Sequence, residues 1–451
     1  MKSLKKLALP VVFFATSLSA FSQNRTLTID EAVRIAVENN RDVEIARLNV
    51  RRADAAAAEQ FGNVYPTLNI TGNYTRNLLL PVLFLPNFAN PNDPTLMPRE
   101  IGSKNAFNIG GQVNQVIFNS AVFQGIETSK TYSNIAREQM RGTVARTIAA
   151  TKRAFYAALY TKEVASTARQ SLQYSEENLR NVRVLYREGV AAEFDQIRAE
   201  VATENIRPQV LQADAAFINA KNALKLMLGM DESADIDVSG DLTTMTAVRD
   251  IQREAILDQA EAANYDIKAL ELLKDFNRQL VNVARASYYP SLTAFGNFNY
   301  QGQANDFNFQ TARTSAVGVQ LNYSPFDGFK TQARVEQAQV DVLQAEQQLD
   351  QLRQQVNTQG QNIYLQAEVA RQRVQAGERT VQQAQRGWQI AQTRYKAGTG
   401  NQLEISDAEL QLRQARLNRA QAIYDYISAM ADVEQLTGQV DPQFLNAIHN
   451  K

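Results

Sequence analysis

The feature of this sequence that most limits how it can fold is an internal duplication. Asn40 precedes a Tyr-Pro pair that begins at Tyr65, and Asn264 precedes a Tyr-Pro pair that begins at Tyr289, at the same distance along the chain. Matched spacing in two copies indicates a tandem repeat of roughly 210 to 220 residues, in which each copy folds with the same layout.

A second pair of landmarks repeats in the same order. Tyr186 opens a Tyr-x-x-Gly turn sequence that leads to an Ala-Glu pair and ends at Gly229. Tyr395 opens its copy, which ends at Gly438. Because the landmarks keep their order and their internal spacing, the duplication extends through most of the chain.

Each copy predicts the same order of elements. A helical stretch comes first, then two extended segments separated by a loop, then a very long helix that turns at a glycine and returns as a shorter helix. Thr28 and Glu31 form a capping box at the first helix. The expected ranges in the two copies are helices 28–62 and 249–286, strands 65–76, 107–118, 291–301 and 317–324, long helices 120–187 and 328–396, and return helices 193–228 and 402–437. The expected division of the chain is a signal peptide over 1–22, repeats over 23–248 and 249–440, and a C-terminal tail over 441–451.

The N-terminus has the pattern of a secretory signal. Lys2, Lys5 and Lys6 precede an apolar run that is too short to span a bilayer. Small residues around Ser22 predict cleavage before Gln23. A buried N-terminal helix is the alternative. We expect an exported chain, and one without a lipid anchor because no cysteine follows the cleavage point.

The composition excludes several kinds of chemistry. The chain has no cysteine, and its one histidine, His449, lies close to the C-terminus. Disulfides, thiolate nucleophiles and metal sites built from cysteine or clustered histidine are therefore excluded, and a Ser-His-Asp triad is barely possible. The 47 basic and 47 acidic side chains balance, which argues against a nucleic-acid partner. We predict no catalytic residue, no cofactor and no metal.

The four extended segments point to a membrane. The clearest one alternates Val317, Val319 and Leu321 with small or polar residues, so its two faces meet different surroundings. Each segment is about ten residues long, the length at which a tilted strand crosses a bilayer. Four strands cannot close a membrane barrel, so crossing requires a barrel shared between chains. Two hairpins on a soluble domain are the alternative. The tyrosines expected at the lipid–water boundaries are Tyr65, Tyr74, Tyr289, Tyr300 and Tyr323.

Prolines predict irregular structure in two places. Five prolines between residues 78 and 105 predict a long loop with no strand or helix interior, lying over the barrel mouth. Pro208 is expected to kink the first return helix. Residues 230–248 are rich in aspartate, serine and threonine and predict a linker between the copies.

The long helices show a narrow apolar stripe at coiled-coil spacing. About 67 residues of helix would form a rod on the order of 100 Å long. Alanine, glutamine and charged residues dominate the rest, which favours a thin wall with water on both sides over a compact bundle. The stripe residues are Ile135, Met140, Val144, Ile148, Leu172, Leu179, Val182 and Leu185 in the first copy, and Val335, Val340 and Leu349 in the second.

Both helical turns carry glycine and charge. Gly189 and Gly398 are able to take a left-handed backbone and end the long helices. Glu404 and Asp407, three residues apart, share one helix face. In a symmetric oligomer they would repeat as a ring of carboxylates that favours cations. An ordinary solvated face is the alternative.

Taken together and in this order, the landmarks resemble the TolC-like outer-membrane efflux family over essentially the whole mature chain. The motifs that carry the resemblance are Leu27-Thr28-Ile29-Asp30-Glu31-Ala32 with Asn40 and Asp42, the two Tyr-Pro-x-Leu strand starts, Ser324-Pro325-Phe326-Asp327-Gly328, and the two Tyr-x-x-Gly turns. The resemblance implies a mainly α fold of tandem-duplicated helical hairpins forming an α-barrel. It also implies a homotrimer in which each chain gives four strands to a twelve-stranded transmembrane β-barrel in the outer membrane of a Gram-negative bacterium.

The resemblance also implies roles for residues at the hairpin tips. A periplasmic adaptor protein would dock there and link the duct to an inner-membrane transporter of the RND or ABC type. Gly400 stands where a relative carries a gate arginine, so a salt-bridged lock at that position is not expected. The implied gate residues are Asp195, Tyr395, Glu404 and Asp407, and the implied adaptor-docking residues are Gly189, Val190, Ala191, Gly398 and Thr399.

The sequence thus predicts a passive exit duct for efflux or type I secretion, without catalysis. A soluble periplasmic coiled-coil adaptor is the alternative, and it would lack the four strands. A third hypothesis is an enzyme with an Asp/Glu active site. No cluster of unlike titratable groups in the sequence supports it.

Overall fold

The computed structural model describes residues 25–86, 96–242, 250–441 and 443–444. Its residues group into two compact units, one drawn from Met1–Asn40, Thr147–Asp250 and Leu365–Asp432, the other from Arg41–Arg146, Ile251–Tyr364 and Val433–Lys451. Each unit takes segments from both sequence copies. The division by repeats describes the duplication of the sequence and stays a prediction, and the signal peptide, its cleavage site and His449 lie outside the described residues.

Helices dominate the described part of the chain, and the expected long and return helices are confirmed within a few residues. The helices are α1 (Ile29–Asn39), α2 (Arg41–Gly62), α3 (Ser120–Arg187), α4 (Glu193–Met227), α5 (Arg253–Ala263), α6 (Tyr265–Arg285), α7 (Lys330–Lys396) and α8 (Gln402–Leu436). None of the described helices is long and apolar enough to cross a membrane.

The strands form three separate sheets. They are β1 (Arg25–Leu27), β2 (Thr67–Arg76), β3 (Val82–Pro86), β4 (Leu96–Glu100), β5 (Asn105–Phe118), β6 (Ile236–Val238), β7 (Ser291–Ala304) and β8 (Gln310–Asn322). The four predicted segments are β2, β5, β7 and β8, which pair antiparallel in that order as one sheet in the second unit.

The helical stretch expected at the start of each copy is present as two helices. Asn40 separates α1 from α2, and Asn264 separates α5 from α6; both residues have an extended backbone. Asparagine side chains compete for backbone hydrogen bonds and so favour helix ends over helix interiors. The capping box at the start of α1 is confirmed, because the Thr28 hydroxyl accepts from the Glu31 N–H and the Glu31 carboxylate accepts from the Thr28 N–H.

Each break forms a junction with the end of a return helix. The Asn40 side-chain amide donates to the Met227 carbonyl (2.9 Å), and the Asn264 amide donates to the Leu436 carbonyl (3.1 Å). The Asn264 side-chain oxygen also accepts the backbone N–H groups of Asp266 and Ile267, which caps α6. The two copies of the repeat therefore share the same hydrogen bond from an asparagine side chain to the end of a return helix.

The prediction of a strandless loop over residues 78–105 is wrong. β3 and β4 pair antiparallel within it, with Phe84 opposite Pro98. A two-stranded ribbon tolerates proline because each strand has an outer edge whose N–H groups have no strand partner. Residues 87–95, between the two strands, lie outside the described part.

The expected linker contains a strand, and the expected kink residue lies within an unbroken helix. β6 pairs in parallel with β1, so Arg25–Leu27 and Ile236–Val238 form a two-stranded sheet. Pro208 lies inside α4, which continues past it to Met227.

The predicted apolar stripe supplies much of the helical core. Ile135, Met140, Val144, Ile148, Leu179, Val182 and Leu349 are buried as expected, Leu172, Leu185 and Val335 are half-buried, and Val340 is exposed, contrary to expectation.

Candidate functional site: the hairpin tips and the sheet

The two hairpin tips, residues 188–192 and 397–401, lie in the first unit and share one turn geometry. Gly189 has φ +72° and Gly398 has φ +70°. The N–H of Gly189 donates to the Tyr186 carbonyl (3.0 Å), and the next N–H donates to the carbonyl five residues back (2.8 Å). The second tip repeats this pattern with 3.0 Å for both bonds. Each long helix therefore ends in a Schellman motif, as glycine at these positions predicted.

The return helices that leave the tips begin differently. Ala192 precedes α4 and has no side-chain acceptor; its N–H instead donates to the carboxylate of Asp195 (3.4 Å). Asn401 precedes α8, and its side-chain oxygen accepts from the Glu404 N–H (2.9 Å). The carboxylate of Glu404, unlike that of Asp195, has a partner in the preceding helix.

Arg394, in the last turn of α7, provides that partner. Its guanidinium lies 3.3 Å from the Glu404 carboxylate and donates to the Thr399 carbonyl (3.3 Å). Its own carbonyl accepts from the N–H groups of Thr399 (3.0 Å) and Gly400 (3.1 Å). One residue thus ties the end of α7, the turn and the start of α8 together. We call this set of contacts the Arg394 clamp.

The first tip has no equivalent clamp. The spacing of the Tyr-x-x-Gly landmarks aligns Leu185 with Arg394 and Asp195 with Glu404. Sequence reasoning missed Arg394, although comparing the two copies would have shown a leucine replaced by an arginine.

Gly400 fits closely against the end of α7. A Cβ atom at this position would lie 3.1 Å from the Cβ of Arg394. A larger residue at position 400 would therefore come too close to Arg394, the residue that holds the second tip together.

Among the four expected gate residues, Asp195 acts electrostatically on Tyr395, although the two belong to different hairpins. Burial, and secondarily the negative charge of Asp195, raises the pKa of Tyr395 above its ordinary value of 10.0. Glu404 is half-buried and paired, whereas Asp407 is exposed, with no hydrogen bond or ion pair to another described residue.

The expected docking residues lie at the surface of the tips. Val190 is 74% exposed, Gly189, Gly398 and Thr399 are exposed, and Ala191 is half-buried.

An exposed apolar stripe continues from the first tip along α4. Successive members are 3, 4, 10, 7 and 8 residues apart, and each gap is close to a whole number of helical turns, so all six lie along one side of α4. The stripe was not predicted. The exposed residues are Phe194, Ile197, Val201, Leu211, Ile218 and Leu226.

The four-stranded sheet presents two chemically different faces. The register places exposed apolar side chains on one face and amides on the other, and the two charged residues of the four strands, Arg76 and Arg313, point to the apolar face. The apolar face includes Leu68, Ile70, Ile109, Val113, Phe298 and Val317, all exposed. The amide face includes Asn69, Asn73, Asn108, Gln112, Asn297 and Asn299.

The outer strands of this sheet each have a single neighbour within the described residues. β2 pairs only with β5, and β8 pairs only with β7. Long strands with an unpaired edge are usually covered by another chain or element. Of the tyrosines expected at membrane boundaries, Tyr65, Tyr74, Tyr289 and Tyr323 are exposed.

Comparison with known proteins gives consistent matches. The family model described as outer membrane efflux protein matches residues 32–230 and 256–439. The chain is 22% identical to the outer membrane protein TolC of Vibrio cholerae over 375 residues, which are 82% of this chain and 84% of that protein.

Two solved structures share the fold. The CmeC outer membrane channel of Campylobacter jejuni matches with a TM-score of 0.73 at 17% identity, covering 93% of this chain and 89% of that one. The outer membrane protein VceC of Vibrio cholerae matches with a TM-score of 0.71 at 15% identity, covering 91% of this chain and 96% of that one. The mainly helical fold with a small strand part is confirmed, as is a location in the outer membrane of Gram-negative bacteria. The chain belongs to the outer membrane efflux protein family.

Proposed function

We propose that this chain is the passive outer-membrane exit duct of a tripartite efflux or type I secretion system, acting as a homotrimer. The observation that carries the proposal is the four-stranded sheet, with one apolar face, one amide face and an open edge on each outer strand. Three copies joined edge to edge would close a twelve-stranded barrel whose apolar face meets lipid and whose amide face lines water.

The exposed stripe on α4 supports the same assembly. Apolar side chains along one side of a helix become buried when another helix covers them. In a trimer, each α4 would be covered by a helix of the neighbouring copy, and the helices of three chains would form the wall of one tube. The wall needs no reactive side chain, since the energy for transport would come from an inner-membrane transporter.

The tips are proposed as the periplasmic end of the duct, where an adaptor docks on the exposed turn residues. Opening would be a two-state movement of the tip hairpins biased by docking. Asp407 would recur three times around the axis as a ring of exposed carboxylates. Glu404 would contribute less to this ring, because Arg394 neutralises it locally.

The proposal is tested by single-channel recording of the purified protein in planar bilayers. Mg²⁺ added on the tip side should block the wild type, and Asp407→Asn should weaken that block, because a ring of carboxylates attracts cations and the variant removes its charge. Glu404→Gln should weaken it less, and the double variant slightly more than Asp407→Asn alone.

Glu193→Gln is the matched control, because it removes an exposed carboxylate from the first tip without touching Glu404 or Asp407. Equal block in the wild type and in the double variant would remove the carboxylates from the mechanism. Absence of any conductance by the wild type would overturn the duct itself.

The alternative of a soluble periplasmic adaptor predicted that the four strands would be absent, and they are present. Cell fractionation separates the two ideas further. We expect heat-modifiable migration of the protein in the outer-membrane fraction; recovery in the soluble periplasm would favour the adaptor.

A further inference from the structure

The ribbon formed by β3 and β4, which we call the mouth hairpin, exposes an unusual amount of apolar surface. Leu78 and Leu79, just before it, are 89% and 91% exposed. Large apolar side chains on both strands are about half exposed or more, namely Val82, Leu83, Phe84, Leu96 and Met97. A surface of this kind marks a contact with another molecule or with lipid.

The mouth hairpin continues the β2–β5 hairpin beyond the main sheet. The N–H of Asn77 donates to the Lys104 carbonyl (2.7 Å), and the N–H of Ile101 donates to the Pro81 carbonyl (2.9 Å). The first bond prolongs the β2–β5 ladder past the end of β2 and the start of β5, and the second prolongs the β3–β4 ladder past the start of β3 and the end of β4. The hairpin therefore extends from the end of the sheet that lies away from the helix starting at Ser120.

Lipid tails do not reach this position if the sheet spans the membrane as proposed. A strand of 14 residues, the length of β5, rises about 48 Å and covers roughly 36 Å of bilayer when tilted by about 40°. The hydrocarbon core is about 30 Å thick. When the hydrocarbon is placed from the helix-side end of β5, the mouth hairpin begins beyond it, where its apolar side chains need a protein cover.

Both faces of the mouth hairpin are apolar, so a single partner on one side leaves the other face bare. Leu83 and Leu85 point to one face, and Val82 and Phe84 point to the other, because neighbouring residues in a strand alternate. In a ring of three copies each hairpin has two neighbours, and each neighbour covers one face.

The charges on the hairpin match such a ring. The register pairs Arg99 with Leu83 and Glu100 with Val82, which puts a positive charge on one face and a negative charge on the other. Neither side chain has an ion pair with another described residue. Contact between unlike faces brings Arg99 of one copy towards Glu100 of the next, whereas contact between like faces opposes equal charges.

The prolines of the mouth hairpin favour packing through its two faces over strand pairing along its edges. Pro98 lies in β4 and Pro86 ends β3, and each removes a backbone donor that an added strand would need. Extension of the ribbon through its edges is therefore disfavoured.

We propose that the mouth hairpin is a self-association element that binds a second copy of this chain, the Arg99 face of one hairpin packing on the Glu100 face of the next to form a closed ring of three over the mouth of the barrel. This inference rests on the proposed trimeric duct and adds to it a contact outside the barrel wall.

The absence of cysteine from the sequence makes disulfide cross-linking a direct test. Leu83→Cys and Phe84→Cys place one thiol on each face of the hairpin. In outer membranes treated with a mild oxidant, the chain with both substitutions should give a covalent trimer on denaturing gels. Each single substitution should give monomer, since like faces do not meet in a head-to-tail ring.

The charges provide a second measurement in the same background. Arg99→Glu should lower the yield of cross-linked trimer about fivefold, the factor expected when an opposite-charge surface contact becomes a like-charge contact. Adding Glu100→Arg should restore the yield, because unlike charges then meet again with their positions exchanged. An unchanged yield in Arg99→Glu would overturn the charge-matched packing.

Native gel migration of the same samples separates failure of the inference from failure of the proposed duct. An intact trimer without cross-linking in the double-cysteine chain overturns the hairpin ring and leaves the trimeric duct standing. Cross-linking of the single-cysteine chains as well as the pair overturns the head-to-tail arrangement. A monomer on native gels overturns both the duct and the ring.

Discussion

The two junctions at Asn40 and Asn264 repeat one set of contacts, whereas the two tips at Gly189 and Gly398 share a turn and differ in what fastens it. At each junction an asparagine amide donates to the end of a return helix. At the tips, the turn hydrogen bonds are equivalent, but only the second tip has the Arg394 clamp.

The difference follows from how closely the chain is packed at each place. Gly229 and Gly438 end the return helices with φ +64°, and a Cβ atom would lie 2.3 Å and 2.5 Å from a backbone carbonyl oxygen. Such contacts leave no room for substitution. Gly189 and Gly398 have no atom within 4 Å of an added Cβ, so packing around these two glycines restricts the neighbouring residues less.

The largest effect is expected from Gly229→Ala. The new Cβ would force a left-handed alanine against the Asn39 carbonyl oxygen, which should cost about 2–4 kcal/mol. Thermal unfolding of the detergent-solubilised protein, followed by circular dichroism, should show a midpoint lower by about 2–4 °C.

Gly387→Ala is the matched control, because nothing lies within 4 Å of its added Cβ and it lies inside α7. This change should raise helix stability slightly, by about 0.5–1 kcal/mol. Equal midpoints for Gly229→Ala and Gly387→Ala would show that the junction is not closely packed.

The next largest effect is expected from Asn264→Ala, at about 1–3 kcal/mol. It removes the cap of α6 and leaves the Leu436 carbonyl without its side-chain donor. Asn264→Ser keeps a capping oxygen but is too short to preserve both contacts, so its loss should be intermediate.

Asn40→Ala tests whether the junctions are equivalent. Both asparagines are buried to the same extent, and we expect their alanine variants to lower the unfolding midpoint by similar amounts. A clearly smaller loss at one of them would break the equivalence that the hydrogen bonds suggest.

Much of this arrangement was predictable from the sequence. Glycine at the tips predicted left-handed turns because few other residues take that conformation, and the alternation in β8 predicted two unlike faces. The tandem landmarks predicted the order of the helices.

Other features depend on contacts between distant residues and were missed for that reason. The β3–β4 ribbon was missed because its prolines argued against a strand, although proline is tolerated in an edge strand. β1 and β6 are three residues each and become strands only by pairing across the whole first copy. The breaks at Asn40 and Asn264 carry neither glycine nor proline, so the helical pattern continues through them.

A smaller effect is expected from Arg394→Leu, which gives the second tip the residue found at the equivalent position of the first, Leu185. The clamp is partly exposed, so its loss should change global stability by less than about 1 kcal/mol. Locally, hydrogen exchange of the amides in residues 397–404 should become several times faster, because their fastening side chain is gone.

The amides of residues 188–195 serve as the internal reference and should exchange at unchanged rates. The reciprocal change, Leu185→Arg with Asp195→Glu, should slow exchange at the first tip by building a clamp there. If Arg394→Leu leaves residues 397–404 unaffected, the two tips are equally fastened and the contrast between them fails.

The smallest effect concerns the electrostatic influence of Asp195, at the first tip, on Tyr395, at the second. The pKa of Tyr395 is raised by burial and by the Asp195 charge, so the folded protein holds the phenol proton to higher pH than the unfolded chain does. The resulting stabilisation is complete below pH 10, the ordinary tyrosine value, and is lost as pH rises through the raised pKa. Asp195→Asn should lower the pKa of Tyr395 without returning it to 10.0, because burial is the larger cause. The measurement is the phenolate absorbance difference between each protein and the same protein carrying Tyr395→Phe, followed through alkaline pH. An unshifted midpoint in Asp195→Asn would mean that the first tip exerts no electrostatic influence on the second, and each tip would then have to be treated as an independent hairpin.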